Sequence, residues 1–152
     1  MMVVVLIFGS REMLALHDKM IDEKPVALMN GVAHLGNGDI IENAVITFEQ
    51  GKITLVADAR LVRLDLSGYE VMDIYGKHVY PIKVCSKNKK RKCFDIITDT
   101  QTRQLTEDEP ANLLVSAYEI NCAANSPVLV FVDGQAQPEG HFIIEEKHLK
   151  IK

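Results

Sequence analysis

The stretch of sequence that decides the fold is GKITLV at residues 51–56, followed by VMDIYGKHVYP at residues 71–81. The turn EQGK, residues 49–52, separates two runs rich in Ile, Val and Thr, residues 40–48 and 53–57. Such residues favour strands, and a glycine in the turn accepts the positive φ that a tight hairpin demands. The first stretch therefore predicts a β-hairpin, and the second predicts two short strands that are split by its glycine.

Short apolar runs separated by turn residues continue on both sides of this hairpin. We predict further strands at residues 25–31, 69–74, 78–80, 94–98, 111–115, 127–135 and 142–144. An Asn30-Gly31 turn is predicted to close the first of these, so that residues 32–35 run back beside it. An Asp133-Gly134 turn is predicted to end the strand that begins at residue 127. Short strands at this spacing indicate a mainly β fold, a small β-sandwich or composite sheet, with one short helix at residues 11–21.

The composition is that of one soluble globular domain. The chain has 152 residues, of which 47% are apolar and 25% are charged, a balance that argues against disorder. The formal net charge of −4 gives no general attraction to nucleic acid. The apolar run at residues 1–10 is too short to span a bilayer. It is either a buried strand or the remnant of a signal peptide, which leaves the localisation open between the cytoplasm and export.

Residues 24–81 and 110–135 resemble the two parts of a composite β-sandwich in the metal-dependent amidohydrolase superfamily, of the imidazolonepropionase-like type. The stretches quoted above carry the first part of the resemblance. PANLLV at residues 110–115 and VLVFVDGQ at residues 128–135 carry the second. In that superfamily a catalytic (β/α)₈ barrel lies between the two parts. Here the connection is residues 82–109, and these 28 residues cannot form a barrel that takes roughly 250.

The resemblance therefore implies a domain that lacks the catalytic barrel. The superfamily's site needs a His-x-His pair on the first barrel strand, further metal ligands and an Asp that acts on metal-bound water. In this sequence IKVC follows Pro81 where that pair would stand, and His78 lies before Pro81, on the flank. We predict no catalytic residue, no metal ligand and no cofactor.

The other histidines and the cysteines offer alternatives to this expectation. His141 and His148 are seven residues apart, so two helical turns would align them on a metal, although two exposed side chains in a charged tail are the simpler expectation. Cys85 and Cys93 could close a disulfide across a loop, whereas an odd total of three cysteines favours free thiols. Nothing local marks any cysteine as an activated nucleophile.

A basic run, SKNKKRK at residues 86–92, is the most charged segment of the chain. It is a candidate contact for polyanions, and its cationic residues are Lys87, Lys89, Lys90, Arg91 and Lys92. It has no interleaved aromatic residue, and an exposed, solvated loop is the simpler expectation.

Taken as a single domain, residues 1–152 are expected to be a non-catalytic amidohydrolase-like chain with a structural or binding role, or a truncated or rearranged hydrolase. One alternative is a component of a metal-dependent amidohydrolase that acts on C–N bonds when a separate chain supplies the barrel. Another is a polyanion-binding module that uses the loop Lys87–Lys92. Loss of the barrel would expose an apolar face or open strand edges, so we expect a homo-oligomer or a protein partner that covers that face, and neither a membrane nor nucleic acid.

Overall fold

The computed structural model describes residues 24–85, 92–120, 127–137 and 142–144. Within these residues the regular structure consists of ten strands: β1 (Val26–His34), β2 (Ile40–Glu49), β3 (Lys52–Asp58), β4 (Glu70–Asp73), β5 (His78–Cys85), β6 (Lys92–Ile96), β7 (Leu113–Ser116), β8 (Pro127–Val132), β9 (Gln135–Ala136) and β10 (Phe142–Ile144). No helix in this part of the chain has the length and hydrophobicity of a membrane span. The mainly β prediction is confirmed, and the helix predicted at residues 11–21 lies outside the described residues.

All ten strands belong to one mixed sheet, whose main path runs β3-β2-β1-β5-β7-β8-β9. Strand β1 lies near its middle and pairs antiparallel with β2 on one side. On the other side it pairs parallel with β4 through residues 26–29, and then with β5 through residues 32–33. Strands β4 and β5 thus lie end to end along one edge of β1, and β6 and β10 extend the sheet from the far end of β5.

The predicted turn at Asn30-Gly31 is wrong, because the chain continues through these residues as part of β1. Asn30 has a φ of 72° and drops out of the pairing between Met29 and Gly31, which makes it a β-bulge. A two-residue hairpin turn of the Asn-Gly type needs positive φ at both central residues, and only the first has it here. Residues 32–35 therefore extend the strand and its following loop and do not run back.

The bulge exchanges the two faces of β1. Leu28 lies before it and Ala33 after it, and both belong to the main core, although strict alternation would place them on opposite faces. Strand β2 has a compensating irregularity at Asn43, which has a φ of 51°. Ala44 and Ile41, on either side of Asn43, both pack against the main core. The two strands therefore stay paired while both exchange faces.

The turn between β4 and β5 packs into the bulge. The Ile74 amide donates to the Met29 carbonyl, and the Asn30 side-chain amide donates to Asp73 Oδ1 at 3.1 Å. A Cβ on Gly31 would lie 2.5 Å from Ile74 Cδ1, which is closer than two carbon atoms can approach. Gly31 therefore leaves room for Ile74, and a side chain at this position would force Ile74 to shift.

Backbone hydrogen bonds join the β2–β3 hairpin to the segment that precedes β7. The Ile53 amide donates to the Glu109 carbonyl at 2.9 Å, and the Asp108 amide donates to the Ile53 carbonyl at 2.8 Å. The Ala111 amide donates to the Gly51 carbonyl at 2.8 Å. These bonds connect the β2–β3 hairpin, at one edge of the sheet, to the segment that leads into β7. They close the sheet around its interior, and we call them the closure.

The main core fills this interior. It draws side chains from both segments of the resemblance and from the connection between them: Leu28, Ile46, Phe48, Ile53, Val79, Leu105, Leu113, Val115 and Phe131 are among its members. Phe48 and Phe131 meet edge to face with their ring centroids 5.0 Å apart. A second, smaller cluster includes Phe94 of β6 together with Tyr80, Leu114 and Val130, which adjoin main-core residues in sequence on β5, β7 and β8. Both faces of these strands are therefore buried.

The turn between β8 and β9 offers a test of the closure. Asp133 and Gly134 have φ values of 49° and 77°, the pattern of the predicted Asp-Gly turn. A Cβ on Gly134 would lie 3.2 Å from Gly51 Cα, whereas one on Gly76, with a φ of 78°, would meet nothing within 4 Å.

We predict that Gly134→Ala lowers the free energy of unfolding by about 1 kcal/mol more than Gly76→Ala does. Both substitutions impose a similar backbone strain of about 1 kcal/mol, and only the first also pushes the two turns apart. Urea denaturation of the two variants measures the difference. Equal losses would show that the contact between the turns contributes nothing.

Candidate functional site

Two histidines from different strands meet where β1 and β5 pair. His34 Nε2 lies 2.9 Å from His78 Nδ1, a hydrogen-bonding distance. The parallel register joins Val32 to His78 and Ala33 to Val79. His34, two residues beyond Val32, therefore lies on the same face of the sheet as His78. We call this pairing, from Val32 and Ala33 to His78 and Val79, the β1–β5 junction.

Tyr80 supports the His34 ring from β5. The two rings stack with their centroids 4.1 Å apart and their planes 11° from parallel. Tyr80 is 2% exposed, and its hydroxyl oxygen accepts a hydrogen bond from the Ile120 amide at 2.9 Å. Because the tyrosine is held at both its ring and its hydroxyl group, it gives the imidazole a fixed, flat surface to lie on.

A small cleft of about 130 Å³ opens beside the pair, lined by His34, Gly36, Gly38, Asp39, Tyr80, Thr98 and Glu119. One wall of the cleft is the loop at Gly36, and the segment between β6 and β7 holds this loop in place. The Gly36 carbonyl accepts hydrogen bonds from the Thr100 amide at 2.9 Å and from the Thr100 hydroxyl at 3.0 Å. Gly36 has a φ of 92°, and a Cβ there would crowd Gln104 and Pro81 at 3.0–3.1 Å. The wall therefore depends on a glycine at this position.

The electrostatics of the pair keep His34 neutral near pH 7. Burial, and then repulsion from His78, lower the pKa of His34 from 6.5 to about 4. A neutral imidazole has one donor and one acceptor nitrogen, so one ring donates to the other, and the tautomers decide which. The arrangement can hold a proton between two nitrogens and can offer hydrogen bonds to a small molecule in the cleft.

No group of three or more His, Cys, Asp or Glu side chains that could hold a metal ion occurs within the ranges that the structure describes. His34 Nε2 and His78 Nδ1 also face one another across their hydrogen bond. In this arrangement the two nitrogens serve each other as donor and acceptor.

Most of the candidate residues from the sequence lie outside the described residues. These are Lys87, Lys89, Lys90 and Arg91 of the basic run, and the two histidines His141 and His148. Lys92 begins β6. The predicted polyanion contact and the alternative His141–His148 metal pair therefore stay predictions. The backbones of Cys85 and Cys93 lie opposite one another in the antiparallel β5–β6 register.

The His34–His78 pair was not predicted from the sequence. The two residues are 44 positions apart and share no motif. The only sequence signal is that each stands in a short apolar run, VAHL at residues 32–35 and HVY at residues 78–80. A hairpin at Asn30-Gly31 would have reversed the chain direction before His34. The mistaken prediction of this turn therefore gave no reason to expect His34 beside His78.

No protein-family model and no curated protein matches the chain. Among solved structures, it is similar to a protein of Bifidobacterium longum assigned as a prolidase, at 29% identity over 39% of this chain and 15% of that chain, with a TM-score of 0.35. It is also similar to molinate hydrolase (21% identity, 39% and 13% coverage, TM-score 0.34) and to a D-hydantoinase (26% identity, 38% and 11% coverage, TM-score 0.31). These are amidohydrolase-superfamily proteins.

The chain spans only 11–15% of the length of these three proteins. Because their TM-scores of 0.31–0.35 are low and their coverage is partial, the likeness carries no argument about what this chain does.

We predict that the ring protons of His34 titrate with a midpoint near pH 4 in an NMR titration, because burial and His78 both disfavour its charged form. His78→Gln should raise this midpoint, since it removes the repulsion. The midpoint should stay below 6.5, because burial is the larger cause. A wild-type midpoint near 6.5 would contradict the burial of His34, and an unchanged midpoint in the variant would contradict the coupling.

Proposed function

We propose that the chain is a non-catalytic β-domain of the amidohydrolase type with a structural or binding role, and that its fold does not depend on a barrel. The observation that carries the proposal is the position of Leu105. This residue belongs to residues 82–109, the connection that the sequence resemblance predicts in place of a barrel, and it is fully buried in the main core.

The backbone around Leu105 is hydrogen-bonded to Leu35, the residue that directly follows β1. The Gln104 and Leu105 amides both donate to the Leu35 carbonyl, at 2.8 and 3.1 Å. Further along the connection, Glu109 accepts from the Ile53 amide and so helps to close the sheet. The connection thus contributes to the interior of the domain, and this supports a unit that is stabilised by its own residues.

The closed sheet supports a structural role, and the cleft beside His34 supports a binding role. The cleft is small, at about 130 Å³, and combines imidazole, carboxylate and hydroxyl groups on a fixed wall. Such a site suits hydrogen-bonded recognition of a small polar group. We propose no reaction there, because the nitrogens that face one another in the His34–His78 pair are engaged with each other.

We predict that Leu105→Ala lowers the free energy of unfolding by about 2–5 kcal/mol, the usual cost of truncating a fully buried leucine. Leu61→Ala is the matched control, because Leu61 is 81% exposed and its truncation should change stability by less than about 0.5 kcal/mol. Urea denaturation followed by circular dichroism measures both. A small effect of Leu105→Ala would mean that the connection is a loop and that the domain lacks this internal support.

A hydrolysis assay tests the non-catalytic part of the proposal. The purified chain, with zinc or manganese added, is expected to release no product from amide and ester substrates above the uncatalysed background. The His34→Gln/His78→Gln double variant is the control for traces of a contaminating enzyme, since a contaminant would act equally in both preparations. Metal-dependent hydrolysis by the wild type that is absent from the double variant would overturn the proposal.

The remaining expectations about partners stay predictions. The described residues expose six large apolar side chains, Ile40, Leu61, Leu64, Val71, Tyr75 and Tyr118, and self-association or a protein partner would cover some of this surface. Complementation by a separate barrel chain and polyanion binding through residues 87–92 are likewise open to experiment.

A further inference from the structure

The β1–β5 junction connects the two halves of the main sheet path through a short contact. One half contains β3, β2 and β1, and the other contains β5, β7, β8 and β9. Only two register pairs, Val32 with His78 and Ala33 with Val79, join β1 to β5. The Val32 amide also donates to the Lys77 carbonyl at 2.9 Å. Any group that weakens or strengthens this contact therefore does so at the point where the two halves of the main sheet path meet.

The His34–His78 hydrogen bond crosses the junction and accommodates one proton between its two nitrogens. In an imidazolium ion both ring nitrogens carry a hydrogen. If both rings were charged, two N–H groups would face one another where the nitrogens are now 2.9 Å apart. Neither could accept, and the like charges would repel. The rings would have to separate, and they lie on different strands.

Four titratable groups face His34 from the elements around it. His78 and Tyr80 face it from β5, and Asp39 and Glu119 line the adjoining cleft. The Asp39 carboxylate instead accepts from the Asn37 side-chain amide at 3.3 Å, and Tyr80 presents the flat side of its ring. Within the described residues the ion pair is Arg60–Asp58, so neither Asp39 nor Glu119 supplies His34 with a counter-ion that would offset a second charge on the pair.

We propose that the His34–His78 pair makes the β1–β5 junction sensitive to acid: uptake of a second proton by the pair parts β1 from β5 locally and widens the cleft. The closure between the β2–β3 hairpin and residues 108–111 lies away from the pair and is expected to hold under the same conditions.

The sign of the effect follows from linkage. His34 has a lower pKa in the folded chain, about 4, than its ordinary value of 6.5. The opened form, in which the ring is free in water, therefore binds the proton more tightly. Stability of the junction is complete above about pH 6.5 and is lost as the pH falls through the interval from 6.5 towards 4.

Hydrogen exchange of two amides tests this inference. The Val32 amide, bonded to the Lys77 carbonyl, reports on the junction, and the Ile53 amide, bonded to the Glu109 carbonyl, reports on the closure. Between pH 7 and pH 4.5 we expect the protection factor of Val32 to fall relative to that of Ile53 by at least about tenfold. A chain with His17, His141 and His148 all replaced by Gln leaves His34 and His78 as its only histidines and should behave in the same way.

Variants of the pair complete the test. In His34→Gln the ratio of the two protection factors should no longer depend on pH, and His78→Gln should reduce the change because one of the two charges is removed. If His34→Gln fails to fold, His78→Gln alone decides. A wild-type ratio that ignores pH, a parallel loss of protection at both amides, a pH dependence that persists in His34→Gln, or one that is undiminished in His78→Gln would each overturn the proposal.

Discussion

The arrangement of the sheet depends on the bulge at Asn30, the point where the central strand β1 changes from one parallel neighbour to the other. Before the bulge, residues 26–29 pair with β4, and after it, residues 32–33 pair with β5. Gly31 lets Ile74 pack against the strand, where a Cβ would stand 2.5 Å from its Cδ1. Because β1 also pairs with β2, a fault here would disturb three of the strands around it.

The closure of the sheet also brings three segments of the chain into one core, namely the two segments that carry the resemblance and the residues between them. Residues 24–81 and 110–135 contribute Phe48 and Phe131, whose rings meet edge to face. Residues 82–109 contribute Leu105 and part of the backbone bonding that closes the sheet. Since apolar burial is the main favourable term in folding, three segments that share one core stabilise one another. The connection is thereby a structural part of the domain.

The sequence predicted what local chemistry decides and missed what distant contacts decide. The turns at residues 49–52 and at Asp133-Gly134 follow from residues that accept positive φ between two strands. Asn30-Gly31 carries the same signal, yet Ile74 and Asp73, more than forty residues away, stabilise a bulge there. The His34–His78 pair was unpredictable for the same reason, because its register is set by the bulge. The basic run lies outside the described residues, so its predicted role stays a prediction.

The bulge also explains why a histidine pair exists on this sheet. Alternation continued unbroken from Leu28 would place His34 on the side of the main core, since both positions are even. The extra residue at Asn30 exchanges the faces, so that Ala33 enters the core and His34 reaches the face of Tyr80 and His78. A single inserted residue thus keeps a titratable side chain out of the apolar interior and sets it against its partner. The constraint that organises the fold is therefore also the one that creates the candidate site, and a change at Asn30 or Gly31 would act on both.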